Sequence, residues 1–217
     1  MRLVLAVAAI VCGWFALCCL ALLSYRWVDP PVTTVQMQRR VESWFSDGEY
    51  KIQHRWTPLG GIPLEVQRAV IAAEDGAFYQ HSGIDWDELG IVLDGAWQGE
   101  GMRGASTITQ QLVKNLFLTT HSSVFRKLPE YLLTPVAEMV LSKDRIFELY
   151  LNEIEWGPGV WGIGAAAQHH YNRPVENLNR RQAARLAACV PAPRSRRPTQ
   201  MDDYSRVILD RMASRGW

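Results

Sequence analysis

The distribution of hydrophobic and polar residues divides the chain into one long apolar stretch and a series of amphipathic segments. Residues 3–23 contain no charged side chain. About 20 apolar residues are enough for a helix to cross a bilayer, and a cleaved secretory signal has only about 7–15. The pattern predicts an uncleaved membrane anchor, residues 1–27, then a linker and membrane-proximal segment, residues 28–59, and a folded domain, residues 60–217.

In the folded domain, apolar residues recur at steps of three and four, which is the spacing of one helix face. Val66, Ala69, Val70 and Ala73 predict a helix between Pro63 and Gly76. Similar spacing predicts further helices in residues 106–118, 126–141, 142–154, 178–190 and 202–216. Predicted helix N-caps are Ser106, Ser142 and Asn179, and Pro129 and Pro135 are expected near a helix start or at a kink. The fold class is mainly α, with at most a small hairpin.

Charge and cysteine content exclude several classes of protein. The formal net charge of +1 is too small to attract nucleic acid strongly, so the composition does not indicate a nucleic-acid-binding protein. Three of the four cysteines lie within the anchor, so Cys189 has no partner for an internal disulfide. Arg2 and the amino terminus give a slight preference for a cytoplasmic N-terminus, which would place the folded domain outside the inner membrane.

Several local motifs carry no chemistry in this context. Residues 157–162, GPGVWG, match a dinucleotide-binding pattern, but a helix precedes them and no βαβ unit surrounds them; they indicate a glycine loop that allows close backbone approach. His169 and His170 are adjacent and are interpreted as structural or surface residues. The basic residues 194–197 are interpreted as a solvated loop, with contact to anionic headgroups as the alternative. The chain contains no Ser-x-x-Lys, which excludes a penicillin-binding acyl-enzyme site.

Two adjacent acids at a helix end are the first candidate for chemistry. Glu74 and Asp75 follow the helix that begins near Pro63, so they lie where the helix dipole is least favourable to anions. Partial desolvation beside Phe78 and the neighbouring Asp75 should raise the pKa of Glu74. A carboxyl group of raised pKa suits a general acid or base; a surface ion pair is the alternative.

Two later segments carry groups that suit a sugar diphosphate. Gly104 permits a sharp turn, and the following side chains offer donors and acceptors for sugar hydroxyls or phosphate: Ser106, Thr107, Thr109, Gln110 and Gln111. Simple helix capping is the alternative. Arg126 and Lys127 beside Glu130 suit a diphosphate, with an exposed ion-pair cluster as the alternative.

Taken in order, these motifs resemble those of the peptidoglycan glycosyltransferase family, which class A penicillin-binding proteins share with monofunctional biosynthetic transglycosylases. The pattern Glu-Asp-x-x-Phe-x-x-His-x-Gly is met by Glu74, Asp75, Phe78, His81 and Gly83. The motif Gly-x-Ser-Thr-Ile-Thr-Gln-Gln is met in residues 104–111, and Arg-Lys-x-x-Glu in residues 126–130. Residues 142–152 nearly match a fourth motif. Gly164 departs from the family, which generally has a glutamate there, and Pro129 before Glu130 is unusual.

The resemblance implies a lysozyme-like helical glycosyltransferase domain that polymerises glycan strands from lipid II by inverting β-1,4 transfer. Glu74 would be the base, Glu130 a second catalytic residue, and the Arg126–Lys127 pair would stabilise the leaving undecaprenyl diphosphate. The remaining candidate substrate-binding residues are Asp75, Phe78, His81, Gly104, Ser106, Thr107, Thr109, Gln110, Gln111, Lys114 and Asn115. Lys143, Glu148 and Asn152 are expected to organise their helix. The sequence requires no cofactor, but Glu130 is also a candidate ligand for Mg²⁺ or Mn²⁺ at the diphosphate.

The implied partners are lipid II, the lipid-linked nascent glycan and the bacterial inner membrane, together with proteins of cell division or elongation. Two other interpretations stay open at this point. A lytic transglycosylase or lysozyme-like hydrolase also uses one glutamate on a helical fold, although it needs no diphosphate site. An inactive scaffold of cell-wall assembly is the other alternative, against which the intact acids at 74 and 130 argue.

Overall fold

A computed structural model describes residues 1–45, 50–97, 106–121 and 124–217. These residues are mainly helical, as the sequence predicts. The helices are α1 (Arg2–Ser24), α2 (Thr34–Ser43), α3 (Leu64–Glu74), α4 (Trp86–Trp97), α5 (Ile108–Phe117), α6 (Val124–Val140), α7 (Lys143–Glu153), α8 (Ile163–Tyr171), α9 (Arg180–Ala187) and α10 (Asp202–Ser214). The strands are β1 (Gln53–His54), β2 (Glu155–Gly157) and β3 (Val160–Trp161).

The core forms around α5, which packs against α2, α6 and α7. Ile146, Leu149, Tyr150 and Glu153, predicted to share one face of α7, are all buried. α3 packs against α9 and α10. The C-terminal end of α3 carries Glu74 and meets α5 through the hydrogen bond between Glu74 and Gln111.

Local capping signals determine where several helices begin. The Ser142 hydroxyl accepts a hydrogen bond from the Arg145 amide, and Asn179 forms both halves of a capping box with Gln182. Both predicted N-caps are thus confirmed. Pro129 and Pro135 both lie inside α6, where each lacks the N–H that a regular helical hydrogen bond requires.

The predicted hairpin is present, and a third strand extends it. β2 and β3 pair antiparallel, while β1 pairs with β3 in parallel. Residues 157–162 include the turn between β2 and β3. Gly159 has a φ of +75°, and a β-carbon there would collide with the Lys51 carbonyl oxygen. The motif is therefore a glycine loop that allows the backbone before β1 to approach, as the sequence predicted.

The segment 28–59, expected as a linker and membrane-proximal segment, is hydrogen-bonded to the helical domain through its described residues. Thr33 caps α2, and the Thr34 hydroxyl donates to the Leu116 carbonyl at 2.8 Å. The Gln36 amide donates to Glu153 Oε2 at 3.0 Å. Together with β1, these contacts attach the segment to α5, α7 and the sheet.

α1 is long and apolar enough to cross a membrane, and it also contacts the helical domain. Cys18 and Leu22 are buried within the hydrophobic core cluster, and α1 packs against α6. Just beyond the helix, the Tyr25 ring stacks with Phe117 at 6.3 Å between centroids. Arg145 donates to the carbonyl oxygens of Tyr25 and Val28 at 2.7 and 3.1 Å.

Glu153 should make stability fall as pH rises. Burial raises its pKa from the ordinary 4.5 to about 8, and its Oε1 atom has no hydrogen-bond partner among the described residues. The folded protein holds this proton up to about pH 8, whereas the unfolded chain releases it near pH 4.5. The stabilisation is fully present below pH 4.5 and is lost toward pH 8, by on the order of 1 kcal/mol per pH unit.

Thermal unfolding of the full chain in detergent between pH 5 and pH 8 measures this effect. Glu153→Gln keeps the shape and an acceptor for Gln36 but does not titrate, so its melting temperature should fall less over this range than that of wild type. Glu176→Gln, at an exposed carboxylate, is the matched control. Parallel curves for wild type and Glu153→Gln would contradict the expectation.

Candidate active site

Glu74 is the last residue of α3 and is partly buried. Its Oε2 atom accepts a hydrogen bond from the Gln111 side-chain amide at 2.8 Å. Burial raises the pKa of Glu74 above its usual value, while the Gln111 hydrogen bond and the charges of Lys114 and Arg196 oppose this rise. Asp75 adds a smaller upward effect. The raised pKa expected from the sequence is therefore present, and burial is its main cause.

The loop after Glu74 is fixed by hydrogen bonds within the loop and to the first residue of α5. Asp75 is buried and accepts from the Ile108 amide at 2.9 Å and from His81 Nε2 at 2.9 Å. His81 Nδ1 accepts from the Gly83 amide, so its Nε2 must carry the proton donated to Asp75. Phe78 is fully buried. These predicted site residues connect the end of α3 to the start of α5.

Gly83 has no room for a side chain. Its φ is +92°, and a β-carbon would lie 2.7 Å from Thr134 Cγ2 and 2.8 Å from Glu138 Cγ. The Gly83 carbonyl accepts a hydrogen bond from the Thr107 hydroxyl at 2.5 Å. The glycine of the first motif therefore allows the loop to pack directly against α6 and the start of α5.

The N-cap of α5 is Thr107, and the predicted cap Ser106 was wrong. The Thr107 hydroxyl accepts from the Gln110 amide, and the Gln110 side chain accepts from the Thr107 amide, which completes a capping box. The Thr109 hydroxyl donates to Glu138 at 2.5 Å. The side chains of Thr107, Thr109 and Gln110 thus bond to the framework of the fold. Ser106 precedes the helix, and its hydroxyl accepts a hydrogen bond from Lys127 instead. Gly104 lies outside the described residues.

The basic pair is organised by Glu130, whose side chain is almost completely buried. Arg126 Nη1 lies 2.7 Å from Glu130 Oε2, and Lys127 Nζ contacts Glu130 Oε1. Pro129 does not prevent these contacts. Lys127 also donates to the Ser106 hydroxyl at 3.0 Å. Two cations thus share one carboxylate, which leaves an excess positive charge.

A continuous hydrogen-bond path joins the two ends of this site. Gln111 Nε2 contacts both Glu74 and the Ser106 carbonyl, the latter at 3.4 Å. Ser106 in turn accepts from Lys127 through its hydroxyl. Glu74 is therefore connected to Glu130 through Gln111, Ser106 and Lys127, although these residues come from α3, α5, α6 and the segment before α5.

Lys114 supplies a further cation near both ends of the path. Its ammonium group forms no hydrogen bond or ion pair with the described part of the chain. Burial lowers the pKa of Lys114. The charges of Glu130 and Glu74 raise this pKa, and those of Arg126 and Lys127 lower it further. Asn115, in contrast, donates to the Gln111 carbonyl at 2.8 Å within α5. Lys114 is thus a cation of this site that has no direct partner among the described residues.

The residues expected to organise the fourth motif have structural contacts. Lys143 lies 2.8 Å from Glu138 Oε1, and Glu148 accepts from the Leu59 amide. Asn152 is buried and bonds both the amide and the carbonyl of Thr57. At the departure Gly164, a β-carbon would lie 2.5 Å from Thr57 Oγ1, so glycine allows α8 to approach this same segment.

Two residues near Glu74 were not among the sequence candidates. The Tyr150 hydroxyl donates to Gln111 Oε1 at 3.0 Å, and the charge of Arg196 acts on Glu74. Arg196 is held by the Ala188 carbonyl at 2.8 Å and by the Tyr204 ring. The helical face predicted Tyr150 only as a core residue, and residues 194–197 were interpreted as a solvated loop or a contact to anionic headgroups, not as part of the site.

The metal-ligating groups of the site are already engaged with one another. Both carboxylate oxygens of Glu130 contact side-chain cations, so Glu130 does not fit the role of a metal ligand in this arrangement. Asp75, His81 and Asp85 bring ligand atoms within 4.8 Å of one another, but Asp75 and His81 are hydrogen-bonded to each other.

Comparisons with known proteins match most of this chain. The family model described as Transglycosylase matches residues 40–213. A protein named biosynthetic peptidoglycan transglycosylase from Ectopseudomonas mendocina (strain ymp) is 42% identical over 185 residues, covering 85% of this chain and 76% of that protein. The protein of the same name from Brucella suis biovar 1 (strain 1330) is 45% identical over 169 residues, covering 76% and 75%. That from Pseudomonas putida (strain GB-1) is 44% identical over 181 residues, covering 83% and 77%.

Proposed function

This chain belongs to the transglycosylase family, and on that basis we propose how its site polymerises peptidoglycan: Glu74 is the general base, and Arg126 with Lys127 stabilises the departing diphosphate. The enzyme is a peptidoglycan glycosyltransferase that acts on lipid-linked glycan precursors in cell-wall synthesis. The observation that carries the assignment of roles is the continuous path from Glu74 to Glu130.

In the proposed reaction, the 4-hydroxyl of lipid II attacks the anomeric carbon of the growing glycan. The new carbon–oxygen bond forms as the bond to the diphosphate oxygen breaks, and the electron pair leaves with undecaprenyl diphosphate. Glu74 takes the hydroxyl proton. Burial raises the pKa of Glu74 toward neutral pH, where a general base works best. A single displacement inverts the anomeric centre.

The cations of the site suit the leaving group. Glu130 holds Arg126 and Lys127 side by side, so two positive charges are placed before negative charge develops on the diphosphate. Such preorganised charge costs little reorganisation during the reaction. Lys114 adds a cation without a direct partner among the described residues.

Ser106 is proposed to position the donor sugar and phosphate between the base and the cations, and Gln111 to orient the Glu74 carboxylate. The other candidates contact neighbouring parts of the protein and so hold these two residues in place: Asp75, Phe78, His81, Thr107, Thr109, Gln110 and Asn115. Their contribution is alignment of the reacting groups.

The membrane location follows from the chemistry of the substrate. A polyprenyl tail keeps the precursor in the bilayer, and α1 is long and apolar enough to hold the enzyme there. We place the enzyme in the bacterial inner membrane as a single-pass protein with an extracytoplasmic catalytic domain.

Labelled lipid II distinguishes this function from glycan cleavage. The purified full chain in detergent should convert lipid II into polymer, release undecaprenyl diphosphate and be blocked by a moenomycin-type inhibitor. Finished sacculi are the matched substrate for a lytic transglycosylase or a hydrolase. Release of anhydro-muropeptides from sacculi without polymer from lipid II would overturn the proposal, and inactivity on both substrates would leave only the scaffold interpretation.

A further inference from the structure

The Gln111 side chain uses all of its hydrogen-bonding groups. Its Nε2 atom donates to Glu74 Oε2 at 2.8 Å and to the Ser106 carbonyl at 3.4 Å. Its Oε1 atom accepts from the Tyr150 hydroxyl at 3.0 Å. One amide therefore joins α3, the segment before α5, and α7.

The orientation of this amide matters for Glu74. A carboxylate only accepts hydrogen bonds, so the Gln111 oxygen turned toward Glu74 would repel it. The two ends of a glutamine amide have nearly the same size, and shape alone does not select one orientation. The Ser106 carbonyl accepts from the nitrogen side of the amide at 3.4 Å, and among the described residues Tyr150 donates to its oxygen side at 3.0 Å, so both contacts favour the same orientation.

Tyr150 is a well-fixed donor. Its side chain is fully buried on the core face of α7. Burial, followed by the charges of Glu74 and Asp75, raises its pKa well above the usual value. The phenol thus keeps its proton at any pH at which the enzyme works.

We propose that Tyr150 is a positioning residue for glycan polymerisation: its hydroxyl fixes the Gln111 amide so that the amide N–H points at the Glu74 carboxylate. This inference rests on the proposed function of Glu74 as the base. The proposal adds α7 to the elements that set the geometry of the reaction. Tyr150 acts on Glu74 through Gln111, because it bonds to Gln111 and Gln111 bonds to Glu74.

Tyr150→Phe removes only the hydroxyl. The Gln111 oxygen then loses its donor, and apart from Glu74 itself only the longer contact of 3.4 Å to the Ser106 carbonyl still orients the amide. We expect kcat to fall about tenfold, the effect of about one hydrogen bond, with KM little changed. The Gln111 hydrogen bond lowers the pKa of Glu74, so its loss should move the acid limb of the pH–kcat profile upward. The charged groups that face Glu74, namely Lys114, Arg196 and Asp75, are unchanged by the substitution.

The chain contains a matched control for this substitution. Tyr171 is a partly buried tyrosine, and its buried hydroxyl has no hydrogen-bond partner in the described structure. Tyr171→Phe should leave kcat and its acid limb at wild-type values. Gln111→Met should move the limb in the same direction as Tyr150→Phe, and the double variant Gln111→Met with Tyr150→Phe should move it no further.

Titration of the Glu74 carboxyl by ¹³C NMR, assigned with Glu74→Gln, separates this inference from the proposed function. A carboxyl titration and an acid limb that move together in Tyr150→Phe support both. A carboxyl titration that moves while the limb does not supports the role of Tyr150 and overturns Glu74 as the base. If neither moves, the role of Tyr150 is overturned.

If Tyr150→Phe is unfolded by circular dichroism, the full chain with 3-fluorotyrosine at position 150 takes its place. Fluorine makes the phenol a stronger donor while the hydroxyl remains. The carboxyl titration should then move downward, and an unmoved titration overturns the inference.

Discussion

Replacing Glu74 by glutamine should reduce lipid II polymerisation by about 10²- to 10⁴-fold, the usual contribution of a general base. Glutamine has nearly the same shape, and its amide oxygen can still accept the hydrogen bond from Gln111. The fold should therefore survive while the proton acceptor is lost. The measurement is the initial rate of polymer formation from labelled lipid II by the purified full chain.

The pH dependence of the residual rate gives a second criterion. In wild type the rate should rise with pH as the Glu74 proton is lost, and in Glu74→Gln this limb should disappear. Glu65→Gln, at the other end of α3, is the matched control because, within the described residues, Glu65 pairs with Arg180 and Arg68 and with no residue of the site. A Glu74→Gln enzyme within a few-fold of the wild-type rate would remove Glu74 from the mechanism.

Replacing Glu130 by alanine should reduce kcat by about 100-fold, the scale measured when a preorganised electrostatic group is removed. Glu130 is almost fully buried and holds Arg126 and Lys127 together. Without it, two neighbouring cations repel each other and lose their fixed positions. Ser106 should also be affected, since Lys127 donates to its hydroxyl.

Steady-state kinetics distinguish this effect from simple loss of substrate binding. The loss should appear mainly in kcat, because the paired charges act most strongly on the departing diphosphate. Glu130→Gln keeps two polar atoms beside the cations and should be less impaired than Glu130→Ala. Glu65→Ala controls for the loss of a carboxylate from an ion pair elsewhere in the domain. Wild-type kcat in Glu130→Ala would show that the basic pair needs no organising carboxylate.

Features determined by neighbouring residues were predictable from the sequence. The faces of α3 and α7 followed from apolar spacing, and Ser142 and Asn179 capped their helices as expected. The error at Ser106 was avoidable, because Thr107 with Gln110 forms the capping-box pattern and Ser106 with Thr109 does not. The ordered motifs also identified the residues at both ends of the site, Glu74 and Glu130.

Features that depend on contacts between distant segments were not predictable in this way. β1 pairs with β3 across more than 100 residues, and no local pattern indicates that partner. The Tyr150–Gln111 bond joins two helices through a residue that periodicity assigns to the core. Sequence patterns also did not separate Gln111, which contacts Glu74, from Gln110, which caps its own helix.

The attachment of α1 to the helical domain has a consequence for how strands are made. Leu22 is buried in the core, and Arg145 donates to the carbonyls of Tyr25 and Val28. The anchor is therefore joined to the catalytic domain by direct contacts. With α1 across the bilayer, these contacts would hold Glu74 at a fixed distance from the lipid headgroups. On the proposed function, glycan strands would therefore be elongated at one fixed distance from the membrane.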